Sequence, residues 1–418
     1  MKRLLIIQSY NANKGNSSVI HAMKRTLLAG WPDLHIALTA YDPNKAEQEY
    51  GLESSDWLVD LRRIKLAKAK ARKGLYMARE GLWILYSMFW LIVSRMGLHL
   101  PVPRFKKKTI QLYLRSNVVT LPGGHLFTNL NSFITNLSHF YGLFFAIALK
   151  KRCMVYAETI GPFFGIWGPI SFLLTRFLLK RVDIVTVRDR NSLEYCQGLK
   201  NSYMTAECVF ALETDQSLAD YLPDAVRVES SGRLLVGVTV HHLYYRRFFS
   251  HADYVALMAA IFDRIIKDFD AEILVIPMED SYHGGGDRPI IREMIGAMKE
   301  AQHIHVLEGD HDCIFTSSVL ARVDIFIGTK THSIVYGLKS SVPTISISYH
   351  DKANEFMEMF GMLDHAINLK ELTVEGLMRI FRKVVQNRAQ IRVFQQKALD
   401  RVRRDALENN RLLMTLFE

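Results

Sequence analysis

The run Gly328-Thr-Lys-Thr-His-Ser333 places a lysine and a histidine where an apolar strand pattern ending at Ile327 gives way to a helical one. A cation at a helix N-terminus opposes the positive end of the helix dipole unless an anion lies between them, so Lys330 predicts an anionic ligand. Histidine carries protons near neutral pH, which makes His332 the first candidate acid or base; a satisfied core histidine is the other reading. Three further turns carry chemistry. Pro122-Gly123-Gly124-His125 lets backbone approach a ligand, with His125 as a side-chain donor, although a tight turn alone would explain the glycines. Val187-Arg188-Asp189 ends a strand with a cation and an anion together, either an anion site or an ordinary ion pair. Gly15-Asn16-Ser17-Ser18 offers amides to an anion and reads equally as a plain N-cap. Glu158, His241-His242, Met278-Glu279-Asp280 and Tyr349-His-Asp-Lys352 also follow strands. G-x-G-x-x-G is absent from the first strand-to-helix turn, which disfavours a nicotinamide dehydrogenase.

The elements that must position these residues are short apolar runs alternating with helical patterns. One series comprises residues 4–8, 34–40, 117–121, 154–157, 184–187 and 204–209; a second comprises 234–240, 272–277, 304–307, 324–327 and 343–348. Alternating strand and helix predicts parallel sheets with right-handed crossovers, so the chain reads as α/β with two Rossmann-like domains. The expected division is 1–212, a polar linker at 213–231, 232–390, and a C-terminal helix at 391–418. Ligands of open α/β sheets lie outside the carboxyl ends of the strands, so two such domains facing across a cleft would gather these loops there.

The 418 residues carry a formal charge of +11, with 49% hydrophobic and 23% charged residues, a globular composition. Residues 61–110 hold 13 Lys/Arg and one acid, Glu80, so the basicity is local. There Leu75, Ala78, Leu82, Leu85, Phe89, Ile92 and Met96 recur at helical spacing, and Gly81 to Ser94 is an uncharged run containing Trp83, Tyr86, Phe89 and Trp90. That run is shorter than the roughly 20 residues that span a bilayer. A basic amphipathic helical insertion on an anionic membrane surface is the expectation, and a packed helical pair with solvated cations is the alternative. No nucleic-acid motif accompanies the charge, so nucleic acid is not an expected partner. Four scattered cysteines without C-x-x-C spacing indicate neither a disulfide framework nor a zinc site, and the N-terminal apolar run is too short for an export signal. A cytoplasmic protein, peripheral on the inner face of the cytoplasmic membrane, is therefore expected.

Read together, these pieces resemble the polysaccharide pyruvyl transferases over most of the chain. The resemblance rests on Asn13-Lys-Gly-Asn16, Gly123-Gly124, Glu158-Thr-Ile-Gly-Pro-Phe163 and Val187-Arg-Asp-Arg-Asn-Ser192. Its most specific part runs from Thr331-His332-Ser to Val342-Pro-Thr-Ile-Ser-Ile-Ser-Tyr349-His-Asp-Lys352, followed by Phe360-Gly361. It implies a glycosyltransferase-B-like fold, with the acceptor on the first domain and the donor on the second. It implies transfer of the enolpyruvyl group of phosphoenolpyruvate to two hydroxyls of a sugar, in a cell-surface polysaccharide or its lipid-linked precursor, as a cyclic ketal with release of phosphate. Phosphoenolpyruvate is the co-substrate, and neither a metal nor an organic cofactor is expected. The catalytic assignment is His332 and His125; Arg188, Lys330, Thr331 and Lys352 would bind the donor, and Gly123, Gly124, Glu158 and His241 would line the acceptor side or cleft. The chain departs from the family pattern at Gly15-Asn16, usually Gly-Asp, at His125, usually a small residue, and at Lys330-Thr331-His332, usually Arg-Leu-His. A nucleotide-sugar glycosyltransferase of the same architecture is the rival reading, separated by whether a nucleoside diphosphate or phosphoenolpyruvate binds. A non-catalytic membrane scaffold is a second, which has no need of cations and histidines gathered at strand ends.

Overall fold

The computed structural model describes the chain except residues 12, 62–69, 99, 129–132, 215–231, 280–285 and 350, and the side chains of 70, 71, 351 and 352. Most of the expected linker and part of the basic stretch therefore lie outside the described residues.

The described chain divides into two compact units. The first comprises Met1–Ala12, Val19–Cys208 and Asp405–Glu418; the second comprises Asn13–Ser18 and Val209–Arg404.

In the first unit the order is β1 (Arg3–Ser9), α1 (Lys14–Gly30), β2 (His35–Ala40), α2 (Pro43–Tyr50), β3 (Glu53–Asp56), α3 (Lys70–Arg95) and α4 (Arg104–Arg115). There follow β4 (Val118–Leu121), α5 (Phe133–Ala148), β5 (Arg152–Glu158), α6 (Gly168–Leu179), β6 (Ile184–Val187), α7 (Arg190–Tyr195) and β7 (Ser202–Met204). The first turn of α1 counts with the second unit. The seven strands pair in parallel in the order β3-β2-β1-β4-β5-β6-β7. Leu4, Leu5, Ile6 and Ile7 of β1 are all buried, as a parallel sheet covered on both faces requires. β1 and β5 each slip register near their ends, where Gln8 and Ala157 adopt φ of 63° and 45°, bending both strands just before their loops.

The second unit contains β8 (Leu234–Val238), α8 (His251–Phe269), β9 (Ala271–Val275), α9 (Arg288–Gly296), β10 (Ile304–Val306), α10 (Cys313–Leu320) and β11 (Ile325–Gly328). It continues with α11 (Thr331–Lys339), β12 (Thr344–Ser348), α12 (Asp351–Met359), β13 (Ala366–Asn368) and α13 (Val374–Thr415). Its six strands are parallel, in the order β10-β9-β8-β11-β12-β13.

The two parallel-sheet α/β bodies are those expected; particular elements are not. β3 and β13 carry no strand signal because they are short and, in β3, polar (Glu-Ser-Ser-Asp). The expected strand at 204–209 is instead β7 at 202–204, followed by a 3-10 turn at Cys208–Ala211. The C-terminal helix is one element of 42 residues beginning at Val374. Its end is tied to the first unit by two buried asparagines. Asn409 accepts from Thr186 Oγ1 (2.6 Å) and Thr205 Oγ1 (2.9 Å) and donates to the Ala206 carbonyl (3.0 Å). Asn410 accepts from Tyr156 (2.6 Å) and donates to Thr26 (2.8 Å).

Helix α3 corrects the expected aromatic face. Trp83 and Trp90 are only 4% and 8% exposed; their indoles donate to the carbonyls of Leu58 (2.8 Å) and Leu100 (3.2 Å), and Trp90 stacks on Phe145 of α5. An indole N–H inside an apolar core needs such an acceptor, and the carbonyls beside α3 supply it. The opposite face is the exposed one, with Leu75, Leu82 (67%), Leu85 (66%), Phe89 (56%), Ile92 (60%) and Met96. α6 presents a similar stripe, Ile166, Ile170, Leu173 and Phe177, with Trp167 stacked on Phe133 of α5. No helix among the described residues is long and apolar enough to cross a membrane.

Candidate functional site

In the second sheet the strand order reverses between β8 and β11, and a crevice at such a reversal is where open α/β sheets bind ligands. The two strand ends are clamped together there. Thr329 N donates to Thr239 Oγ1 (3.0 Å), Thr329 Oγ1 donates to the Thr239 carbonyl (3.0 Å), and Thr239 Oγ1 meets Ser333 Oγ at 2.9 Å. This brings the loop after β8, with His241 and His242, beside the start of α11, with Lys330, Thr331 and His332.

Lys330 is the N-terminal cap of α11, and its ammonium lies 2.8 Å from Glu279 Oε2 and 2.8 Å from Asp287. The anion that a cation at this position calls for is thus supplied by the protein, from the loop after β9 and the start of α9. Lys330 is accordingly not the open donor-binding cation expected from sequence. Asp287 is the hub: its Oδ2 also accepts from the amides of Met278 (3.0 Å) and Glu279 (3.1 Å), and its Oδ1 from His242 Nδ1 (2.8 Å). Burial works against its charge, but the Lys330 ammonium and the bonds from His242 and Lys330 outweigh burial and hold the carboxyl below its ordinary value. His242, Glu279 and Asp287 lie close enough together to ligate a metal ion. The lysine ammonium pairs with the two carboxylates of this set.

His332 stands in the first turn of α11 against Gly15. A Cβ on Gly15 would fall 2.5 Å from His332 Nδ1 and 2.7 Å from its Cγ, so only glycine admits the ring in this place. The same segment is held by Tyr336, whose hydroxyl donates to the Lys14 carbonyl (3.0 Å), and by Lys14 Nζ on the Pro277 carbonyl (3.2 Å). The buried His241 packs edge-on to Tyr244 and Tyr349 (4.8 and 4.9 Å), which stack on each other at 4.5 Å. Tyr349 bonds to Thr331, and burial pushes its hydroxyl above the ordinary phenol range. The Lys352 side chain lies outside the described residues.

In the first unit the other expected residues meet one another. Arg188 corrects the expectation most plainly. Its side chain is completely buried, ion-paired with Glu207, and donates to Thr159 Oγ1 (3.0 Å) and to the Gly124 carbonyl. A guanidinium enclosed in this way fixes a turn and is not presented to a donor anion. Glu158 accepts from the Leu126 amide, and His125 Nε2 meets the Gly161 carbonyl at 2.7 Å, so both fasten the Gly123-Gly124 turn to the end of β5. Gly123 is packed so that a Cβ would lie 3.2 Å from the Ala157 carbonyl, at the bend in β5.

The family model for polysaccharide pyruvyl transferases matches residues 13–351. The chain belongs to that family. A transferase of polysaccharide biosynthesis is therefore its class, and the match covers both clusters. Solved structures add the fold. S. aureus MnaA in complex with UDP superposes with a TM-score of 0.60 at 10% identity, covering 95% of this chain and 91% of that one. Anabaena HepE in complex with UDP gives 0.58 at 11%, covering 98% of both. The Neisseria meningitidis UDP-GlcNAc 2-epimerase bound to UDP-GlcNAc gives 0.54 at 10%, covering 94% of both. These likenesses agree with a glycosyltransferase-B-like fold. No curated protein matches the chain.

Sequence reading missed Asp287 and passed over His242 as part of a loop. Asp287 precedes Arg288-Pro289 at a helix start, a position that ordinarily signals only a helix beginning.

Proposed function

We propose that this transferase moves the enolpyruvyl group of phosphoenolpyruvate onto two hydroxyls of a sugar in a cell-surface polysaccharide or its lipid-linked precursor. The observation carrying this reading is His332 in the first turn of α11, at the reversal of the second sheet, within a chain matched to the family over residues 13–351. The first-turn amides of α11 suit the anionic donor, with Thr331 beside them, and Lys330 keeps that helix end in place through Glu279 and Asp287. His332 protonates the methylene carbon as a hydroxyl adds to the neighbouring carbon. Phosphate then leaves and the second hydroxyl closes the ketal; of the two hydroxyl protons, one ends on the new methyl group and one with phosphate. Arg188, Glu158 and His125 set the shape of the Gly123-Gly124 turn in the first unit.

A lipid-linked acceptor fits the exposed faces of α3 and α6, helices that both pack against α5. Basic side chains accompany the stripes, Arg72 and Lys73 on α3 and Lys180 and Arg181 at the end of α6, which favours an anionic leaflet. The enzyme would then work at the inner face of the cytoplasmic membrane.

The test is incubation of the full chain with phosphoenolpyruvate and a panel of lipid-linked and free glycosides, following phosphate release and the mass gain of a ketal. UDP-sugars run in parallel. Transfer from a UDP-sugar with no phosphate released from phosphoenolpyruvate would replace this reading by that of a glycosyltransferase.

A further inference from the structure

The His242–Asp287 pair has a geometry that the reading above does not use. Asp287 is ionised and acceptor-only, so the 2.8 Å bond from its Oδ1 to His242 Nδ1 requires the imidazole to carry its hydrogen on Nδ1. In the neutral ring Nε2 is then a bare acceptor. That nitrogen is buried and has no hydrogen-bond partner among the described residues, on a side chain 9% exposed. An orphaned buried polar atom costs about 1–3 kcal/mol, and in native structures such an atom calls for a reason, a catalytic role or a bound partner among them. A hydroxyl is the group that would complete this one, because it brings the missing donor.

Among the described residues, groups facing the ring come from the start of α9, the loop after β9, α11 and its own loop. Asp287 and Glu279 (3.7 Å) approach from the start of α9 and the loop after β9, Lys330 lies behind both carboxylates at α11, and His241 is its own neighbour in the loop. The Asp287 carboxylate orients the imidazole, as the base of a catalytic pair is oriented by a third group.

We propose that His242 is a second acid–base catalyst, whose Nε2 takes the proton of an acceptor hydroxyl, and that Asp287 is its positioning residue. In enolpyruvyl transfer, on which this assignment of substrate rests, the steps balance. As the first hydroxyl oxygen bonds to the central carbon, its proton passes to Nε2 while His332 gives a proton to the methylene carbon. The carbon–oxygen bond to phosphate then breaks and His242 returns its proton to the departing phosphate. The second hydroxyl closes the ketal and its proton restores His332.

The experiment uses the full chain as wild type, His242→Gln and Asp287→Asn. His242→Gln leaves the bonds from Asp287 to Met278, Glu279 and Lys330 in place, so it separates catalysis from the stability of the loop. Nitrogen NMR of histidine-labelled protein should show a neutral imidazole protonated at Nδ1 that disappears in His242→Gln and shifts toward the other tautomer in Asp287→Asn. Turnover should fall about 100-fold or more in His242→Gln, with its donor affinity within threefold of wild type, and 10-fold or more in Asp287→Asn. If wild type uses a UDP-sugar instead, the same comparison is made in that reaction, so the enolpyruvyl reading fails alone. A ring protonated at Nε2, or His242→Gln turnover within threefold of wild type with either donor, overturns the proposal.

Discussion

Replacing Leu82, Leu85 and Phe89 together by serine should release the protein from lipid without harming the fold. All three side chains lie on the outward face of α3, between 56% and 67% exposed. Fully burying a large apolar side chain is worth about 1.5–3 kcal/mol, so sinking the exposed part of each into a bilayer interface gains about 1–2 kcal/mol. Three such losses come to about 4 kcal/mol, roughly a thousandfold in the partition coefficient. The basic side chains remain in the variant and contribute about 1 kcal/mol each near an anionic leaflet, so residual binding should vanish in high salt. Co-sedimentation with phosphatidylcholine vesicles, with and without phosphatidylserine, gives the partition coefficients. The thermal midpoint is the control, because exposed substitutions usually move stability by no more than about 0.5 kcal/mol. Trp83→Ser is the contrasting variant: it removes a core side chain and its bond to Leu58, and should destabilise by about 3–5 kcal/mol. Equal partitioning of wild type and the triple variant, or indifference to phosphatidylserine, would refute the membrane reading and leave α3 as a packed helix with an uncovered face.

Two further outcomes follow from the second unit. Gly15→Ala should lower turnover about 10- to 100-fold, because its methyl group cannot coexist with the His332 ring and the imidazole must move by about 1 Å; normal turnover would show that His332 is not held where it acts. Because the folded value of Asp287 is depressed, its stabilising contribution is complete above the unfolded value, near 3.9, and is lost as pH falls through the lower folded value. The advantage of wild type over Asp287→Asn in thermal midpoint should therefore hold from pH 7 to about 5 and shrink below about 4, whereas an unchanged gap at pH 3 would contradict the assigned charge.

Much of the fold was legible because parallel strands buried on both faces leave long apolar runs, as in Leu4–Ile7 and Ile325–Ile327. β3 escaped because a polar edge strand of four residues leaves no such run, and Trp83 and Trp90 misled because an apolar helix does not reveal which of two apolar faces is covered. The candidate site was legible in its strand-end residues, His241, Lys330 and His332. What sequence order conceals is strand adjacency: β8 and β11 are separated by about 90 residues yet pair, and that pairing sets His242 and Asp287 beside Lys330. Arg188 shows the converse limit, since a charge at a strand end reads alike whether it faces a ligand or a buried partner such as Glu207.

The replacement of the family's usual arginine by Lys330 acquires a physical reason from its surroundings. An ammonium is a compact charge with three donors in a tetrahedral spread, able to meet Glu279 and Asp287 at 2.8 Å each. A guanidinium is a planar fork suited to one carboxylate in bidentate contact, so at this position it would compete with His242 for Asp287. The lysine ammonium lies 2.8 Å from both oxygens of Asp287, yet Oδ1 still meets the imidazole and Oδ2 the two amides. The substitution therefore belongs with His242 and Asp287 as one arrangement: the cation of the motif is turned inward to hold a carboxylate, and that carboxylate holds a histidine whose second nitrogen is left for chemistry.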